Sequence, residues 1–374
     1  MRKIFLCIPL IILLSFDISF NATATENFDA ENLQSEISNQ LEDTIDNNTL
    51  EILGDLGIRE FNFDEIYSIS FENISAFFSE TLKEKIAVAL EDFFRLFSVV
   101  LLAGVVSALI KDYYDENFTG ILCTVIVTLL AVGTIKDSLS AVVSVLELSG
   151  KFMLSFAPIY TLIISLSGNT AVALTYNTFA VFFAEIISSV ISSGAVDIIG
   201  VFFSLGISFS MNESININRF VSTVNRIVST VLGFTASMFT GYLSLKNILS
   251  LSVDRVSVRS IRFLISSLIP VVGSSISEAY STLIGSINLI KGSVAIVGII
   301  VIIIINAPVI IETLVYYIFF NLLGYTSDIL SVSKIGDVFR VFSAGIRILL
   351  LLCIFEMFIL IISVGIILSV KGGG

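Results

Sequence analysis

The chain has 374 residues, of which 55% are hydrophobic and only 14% charged, and its mean hydropathy is +0.98. A soluble domain covers its surface with about 25% charged residues, so this composition excludes a water-wetted globule and places most of the fold in lipid. The absence of histidine excludes imidazole acid–base catalysis, imidazole metal ligation and a histidine pH switch.

The net charge of −12 is concentrated. Residues 26–82 hold fourteen acids and one base, Arg59, whereas residues 83–374 hold seventeen of each. A basic footprint for nucleic acid is missing. The three cysteines, Cys7, Cys123 and Cys353, lie in apolar runs and read as small buried hydrophobes, with no disulfide framework.

At the start, Arg2 and Lys3 precede the apolar run 4–15, and Ala22-Thr23-Ala24 follows. This is the pattern of a cleavable secretory signal over residues 1–24, since a run of about a dozen residues is short of the ~20 that cross a bilayer. Residues 25–91 then form a short acidic segment outside the cytoplasm, because positive rather than negative charge holds a segment inside. Leu33, Ile37, Leu41 and Ile45 recur every fourth residue, which predicts an amphipathic helix over 31–46, ended by Asp46-Asn47-Asn48. A second helix is expected to start near Asn73 and to carry Ala76, Phe77, Leu82 and Ile86 toward the membrane. The segment is too short to bury a core of its own, so it should lie on the membrane domain or on a partner.

Residues 92–374 form the expected multi-spanning domain. Runs 93–110 and 118–135, joined by the polar loop 111–117, predict a helical hairpin. Further apolar runs cover 152–166, 171–191, 198–211, 227–245, 263–272, 294–315 and 346–370. Six to eight spans follow, with the shortest runs expected as re-entrant or broken helices. The architecture is therefore all-α and polytopic. Orientation contains a conflict. The stretch 246–262 carries Lys246, Arg255, Arg259 and Arg262 against Asp254 and should be cytoplasmic. Six crossings counted from an outside start put it outside, and 198–211 is the suspected false span.

Three features are candidates for function. Glu185, Glu312 and Glu356 lie within apolar runs, where an ionisable group costs about 2.5–3.5 kcal/mol unless paired or hydrated. They are expected to pair with a base such as Arg226 or Lys291, or to line a hydrated path; Arg95 and Arg347 sit near run ends and can snorkel. Ser229, Gly233, Ser237 and Gly241 recur every four residues and make a small-residue packing face, internal or between subunits. Pro270 and Pro308 fall inside apolar runs and are candidate helix breaks. No H-E-x-x-H, Walker loop or G-x-S-x-G elbow is present, so no catalytic residue, metal or cofactor is expected.

Two stretches carry a family resemblance. One is Lys151-Phe152-Met153-Leu154-Ser155-Phe156-Ala157-Pro158-Ile159-Tyr160, followed by Ser167-Gly168-Asn169. The other runs from Ser252-Val253-Asp254-Arg255-Val256-Ser257-Val258-Arg259 into Ser267-Leu268-Ile269-Pro270-Val271-Val272-Gly273, with Leu289-Ile290-Lys291-Gly292 and Pro308 downstream. In order and spacing these resemble the stage III sporulation protein AE family of endospore-forming bacteria, over roughly residues 83–374. The resemblance implies a non-enzymatic subunit of a channel or secretion-like complex in the mother-cell membrane around the forespore. It also implies an ATPase, small membrane subunits and ring-forming proteins as partners. The alternative from residues alone is a stand-alone secondary transporter using the intramembrane carboxylates; a two-fold internal repeat, frequent in transporters, is not evident.

Overall fold

A computed structural model describes residues 45–58, 71–110, 116–190, 196–212, 215–268 and 273–368, and a few residues between 35 and 43. The expected signal, most of the helix placed at 31–46, and Pro270 lie outside the described residues. Among those described there are eight helices: α1 (Asn47–Asp55), α2 (Phe71–Ile110), α3 (Glu116–Leu166), α4 (Thr170–Val190), α5 (Val196–Ser210), α6 (Ile217–Leu268), α7 (Gly273–Ile329) and α8 (Ser333–Leu368). No strand occurs among them, and four helical segments are long and apolar enough to cross a membrane: Glu72–Leu109, Ile121–Leu166, Ile284–Ile329 and Ser333–Gly365. The chain is a multi-pass helical membrane protein. Large apolar side chains on its outer surface fit lipid contact, among them Leu102, Leu109, Leu129, Leu174, Ile198 and Ile329.

Asp46, expected to end a helix, starts one. It is the N-cap of α1, where its carboxylate accepts from the Thr49 amide at 3.2 Å and from the Thr49 hydroxyl at 2.6 Å. Capping of this kind satisfies an orphan amide of the first turn. Ile45, Leu53, Leu56 and Ile58 are buried in the same core as the long helices, with α1 lying against α7. Helix α2 then runs without interruption across positions 91 and 92.

Pairwise contacts fix the direction of each helix. The Asp92–Thr134 hydrogen bond makes α2 and α3 an antiparallel hairpin, as the spacing predicts. Lys85–Glu312 and Phe93–Phe319 keep α2 parallel to α7. Ser149–Asn306 and Phe156–Gly298 make α3 antiparallel to α7. Helices α7 and α8 form the largest packed pair, joined at Ser331, whose φ of 59° is left-handed. There Val332 N–H reaches Ser327 O and Ser331 N–H reaches Asp328 O, the paired bonds of a Schellman turn. Phe320 stacks on Phe339 across it. Helix α6 runs parallel to α8, with Phe239 beside Ile359.

The structure revises the crossing count. Runs 118–135 and 152–166 are two parts of one helix, α3, which passes through Pro158. Helix α4 meets α3 at Tyr160–Tyr176, and α5 meets α8 at Gly206–Val341 and Phe203–Gly345. Helix α4, of 21 residues, and α5, of 15, therefore run one after the other in the same direction. The fusion of 118–135 with 152–166 leaves one continuous helix where two separate runs were expected. Residues 246–262 continue α6 as helix rather than forming a loop, at the same end of the bundle as the start of α2. The start of α2 and the basic stretch thus lie at one end of the bundle.

Candidate functional site

Charged and polar side chains gather at two levels of the α2–α3–α7–α8 bundle. At the first, Asp92 on α2 ties three helices together. One of its oxygens accepts from Thr134 of α3 at 3.0 Å and from Tyr316 of α7 at 3.1 Å; the other accepts from Arg95 at 2.7 Å. Two turns earlier, Lys85 pairs with Glu312 of α7 at 2.9 Å. Neither base considered for Glu312, Arg226 or Lys291, is its partner. The actual one lies more than two hundred positions away, beyond the reach of sequence periodicity.

Replacing Asp92 by alanine should cost about 1–3 kcal/mol, because two partly buried hydroxyls lose their acceptor. Asp92→Asn keeps an acceptor oxygen and should cost less. Cys353 is 0% exposed, so labelling of its thiol by a reactive dye on heating reads the loss directly. Equal unfolding temperatures for both variants and the native chain would remove Asp92 from the account.

The second level lies deeper. Glu356 of α8 is 2% exposed and sits beside Ser149 of α3 and Asn306 of α7, each 0% exposed. The Asn306 amide donates to the Ser149 hydroxyl at 2.9 Å and to the Ile302 carbonyl at 3.0 Å. The carboxylate oxygens of Glu356 approach both side chains without reaching hydrogen-bonding geometry. Sequence reading found Glu356 but not its neighbours; Asn306, the first residue of Asn306-Ala307-Pro308 in an apolar run, was the available signal.

The remaining candidates do not join these layers. Glu185 falls in the C-terminal part of α4, with its side chain outside the described atoms. Pro308 lies within α7, which continues on both sides of it. Ser229, Gly233, Ser237 and Gly241 lie on the exposed side of α6, and a Cβ at Gly233 or Gly241 would meet nothing within 4 Å. Among the described residues, nothing packs on Gly233 or Gly241 of the strip. Arg340, near the α7–α8 turn, pairs with Asp328 and Asp337. Together with Arg347, Asn225 and Asn321 it lines a cavity of about 320 Å³ between α6, α7 and α8. No group of three or more acids or cysteines with metal-binding geometry occurs among the described residues.

Comparison with known proteins gives a concordant result. The family model described as Stage III sporulation protein AE (spore_III_AE) matches residues 59–371. The chain is similar to Stage III sporulation protein AE of Bacillus subtilis (strain 168), at 21% identity over 182 residues, which cover 49% of this chain and 46% of that protein. The match thus spans about half the length of the relative. No solved structure matches. With a family match running from before α2 to beyond α8, the chain belongs to the stage III sporulation protein AE family.

Proposed function

We propose that the protein is a non-enzymatic membrane subunit of a sporulation channel or secretion-like complex, set in the mother-cell membrane and linking mother cell to forespore. The observation that carries this reading is the family match over residues 59–371. The outward-facing strip Ser229, Gly233, Ser237 and Gly241 adds support. Small residues in lipid permit close backbone approach, and no described residue of this chain lies within 4 Å of a Cβ placed at Gly233 or Gly241. The occupant of the strip in this reading is a transmembrane helix of another subunit. An ATPase, small membrane subunits and ring-forming proteins are the proposed partners, and forespore development after engulfment is the process served.

Purification from sporulating cells tests the assignment. The tagged full chain should be recovered with the other channel subunits in mild detergent. Gly233→Leu should abolish that recovery while leaving the unfolding temperature unchanged, because its Cβ has open space. A lone monomer that drives solute uptake in vesicles would instead establish the transporter reading. That alternative has one specific observation behind it, the buried carboxylate of Glu356.

A further inference from the structure

The surroundings of Glu356 are unbalanced in one direction. The Asn306 amide nitrogen is fully engaged by its two donated bonds, and that orientation leaves its Oδ1 with no donor. Both Glu356 oxygens are in the same condition. Three buried acceptor atoms thus gather between α3, α7 and α8, and the Ser149 hydroxyl, which itself accepts from Asn306, holds the one hydrogen left among these three side chains.

Nor does a described cation lie against it. Glu147 and Lys151 flank Ser149 on α3, but both are exposed. Helix α7 carries no charged residue between Lys291 and Glu312, and α8 carries none between Arg347 and its end except Glu356 itself. Arg226 of α6 is exposed. The other titratable neighbour is the thiol of Cys353, one turn away and buried. An ionised carboxylate in such a place has no counter-charge and one hydroxyl donor at most, a state that buried groups avoid by binding a proton or a cation.

We propose that Glu356, Asn306 and Ser149 form a proton-binding site in the membrane core, with the Glu356 carboxyl carrying the proton in the packed arrangement. Protonation removes the charge and turns one carboxyl oxygen into a donor, which the orphaned Asn306 oxygen can accept. A metal ion needs a fuller oxygen shell than three atoms provide. Because the site is sealed by three helices, the proton leaves only when α8 separates from α3 and α7 far enough to admit water. Occupancy is thereby coupled to the packing of α8. The inference rests on the geometry alone and stands whether or not the complex assignment does.

Dicyclohexylcarbodiimide, an apolar reagent selective for protonated carboxyl groups in apolar surroundings, tests it on the full-length protein in lipid vesicles. Mass spectrometry should find the adduct on Glu356 and not on Glu147 at neutral pH. The adduct should be lost in strongly alkaline buffer and in Glu356→Gln, and should be indifferent to exchange of choline for sodium. The infrared carbonyl band of a protonated carboxyl should be present in the native protein and missing in Glu356→Gln, which settles the matter if the reagent cannot enter. Absence of both adduct and band would overturn the proposal, and so would protection of Glu356 by sodium, which would make the occupant a metal ion.

Discussion

Gly345→Leu is expected to separate α5 from α8 and to destabilise the protein by about 3 kcal/mol, the upper part of the range for overpacking a closed site. A Cβ built at Gly345 would overlap the ring of Phe203, and one at Gly206 would overlap Val341. Both contacts lie on the single face where the 15-residue α5 meets α8. Neighbouring rings leave Phe203 little room to retreat, since it packs against Phe202 and Phe342 and is 8% exposed. Heating in detergent while a thiol dye reports on Cys353 measures the effect. Gly285→Ala is the control, because nothing lies within 4 Å of its added Cβ and a helical Gly→Ala change is favourable by up to about 1 kcal/mol. If Gly345→Leu unfolds at the native temperature, the close approach of α5 to α8 is not what holds that helix.

Lys85→Met should cost about 2 kcal/mol by leaving Glu312 without its counter-charge, less than the ~3–5 for a fully buried pair. The discount reflects side chains that are 25% and 19% exposed. Glu312→Gln should be similarly harmful, for the mirrored reason. The informative variant is the exchange Lys85→Glu with Glu312→Lys, which keeps the pair and reverses its direction. It should recover more than half of the loss, whereas simple addition of the two single effects would show that the ion pair does not fasten α2 to α7.

Much of the architecture was legible because lipid simplifies the code. The hairpin at 93–110 and 118–135 follows from two long apolar runs and one polar loop, and the helices α4 and α5 follow from the separate runs 171–191 and 198–211. What sequence did not show is where helices end. Residues 136–151 separate two apolar runs with Lys136, Asp137, Glu147 and Lys151 and look like a loop, yet α3 passes straight through them. Intervening charges do not stop a helix that other helices flank; only backbone chemistry does. The candidate site was half legible for a related reason. Glu312 and Glu356 stand out as acids in apolar runs, but Lys85, Asp92 and Ser149 sit in ordinary polar surroundings along the chain. Only the parallel register of α2 with α7 brings Lys85 to Glu312 and Asp92 to Tyr316, and only the antiparallel register of α3 with α7 sets Ser149 beside Asn306 and Glu356.

The membrane-competent segments are 33 to 46 residues long, or roughly 50 to 69 Å of helix at about 1.5 Å per residue. A hydrocarbon layer of ~30 Å does not swallow such rods even at the ~40° tilt that marks the steep end of observed angles. A substantial fraction of each rod therefore stands clear of the lipid, continuous with the part inside, while Asp92 and Lys85 tie α2 to its neighbours α3 and α7. A displacement of a projecting end would be carried along continuous helix to the part inside the lipid.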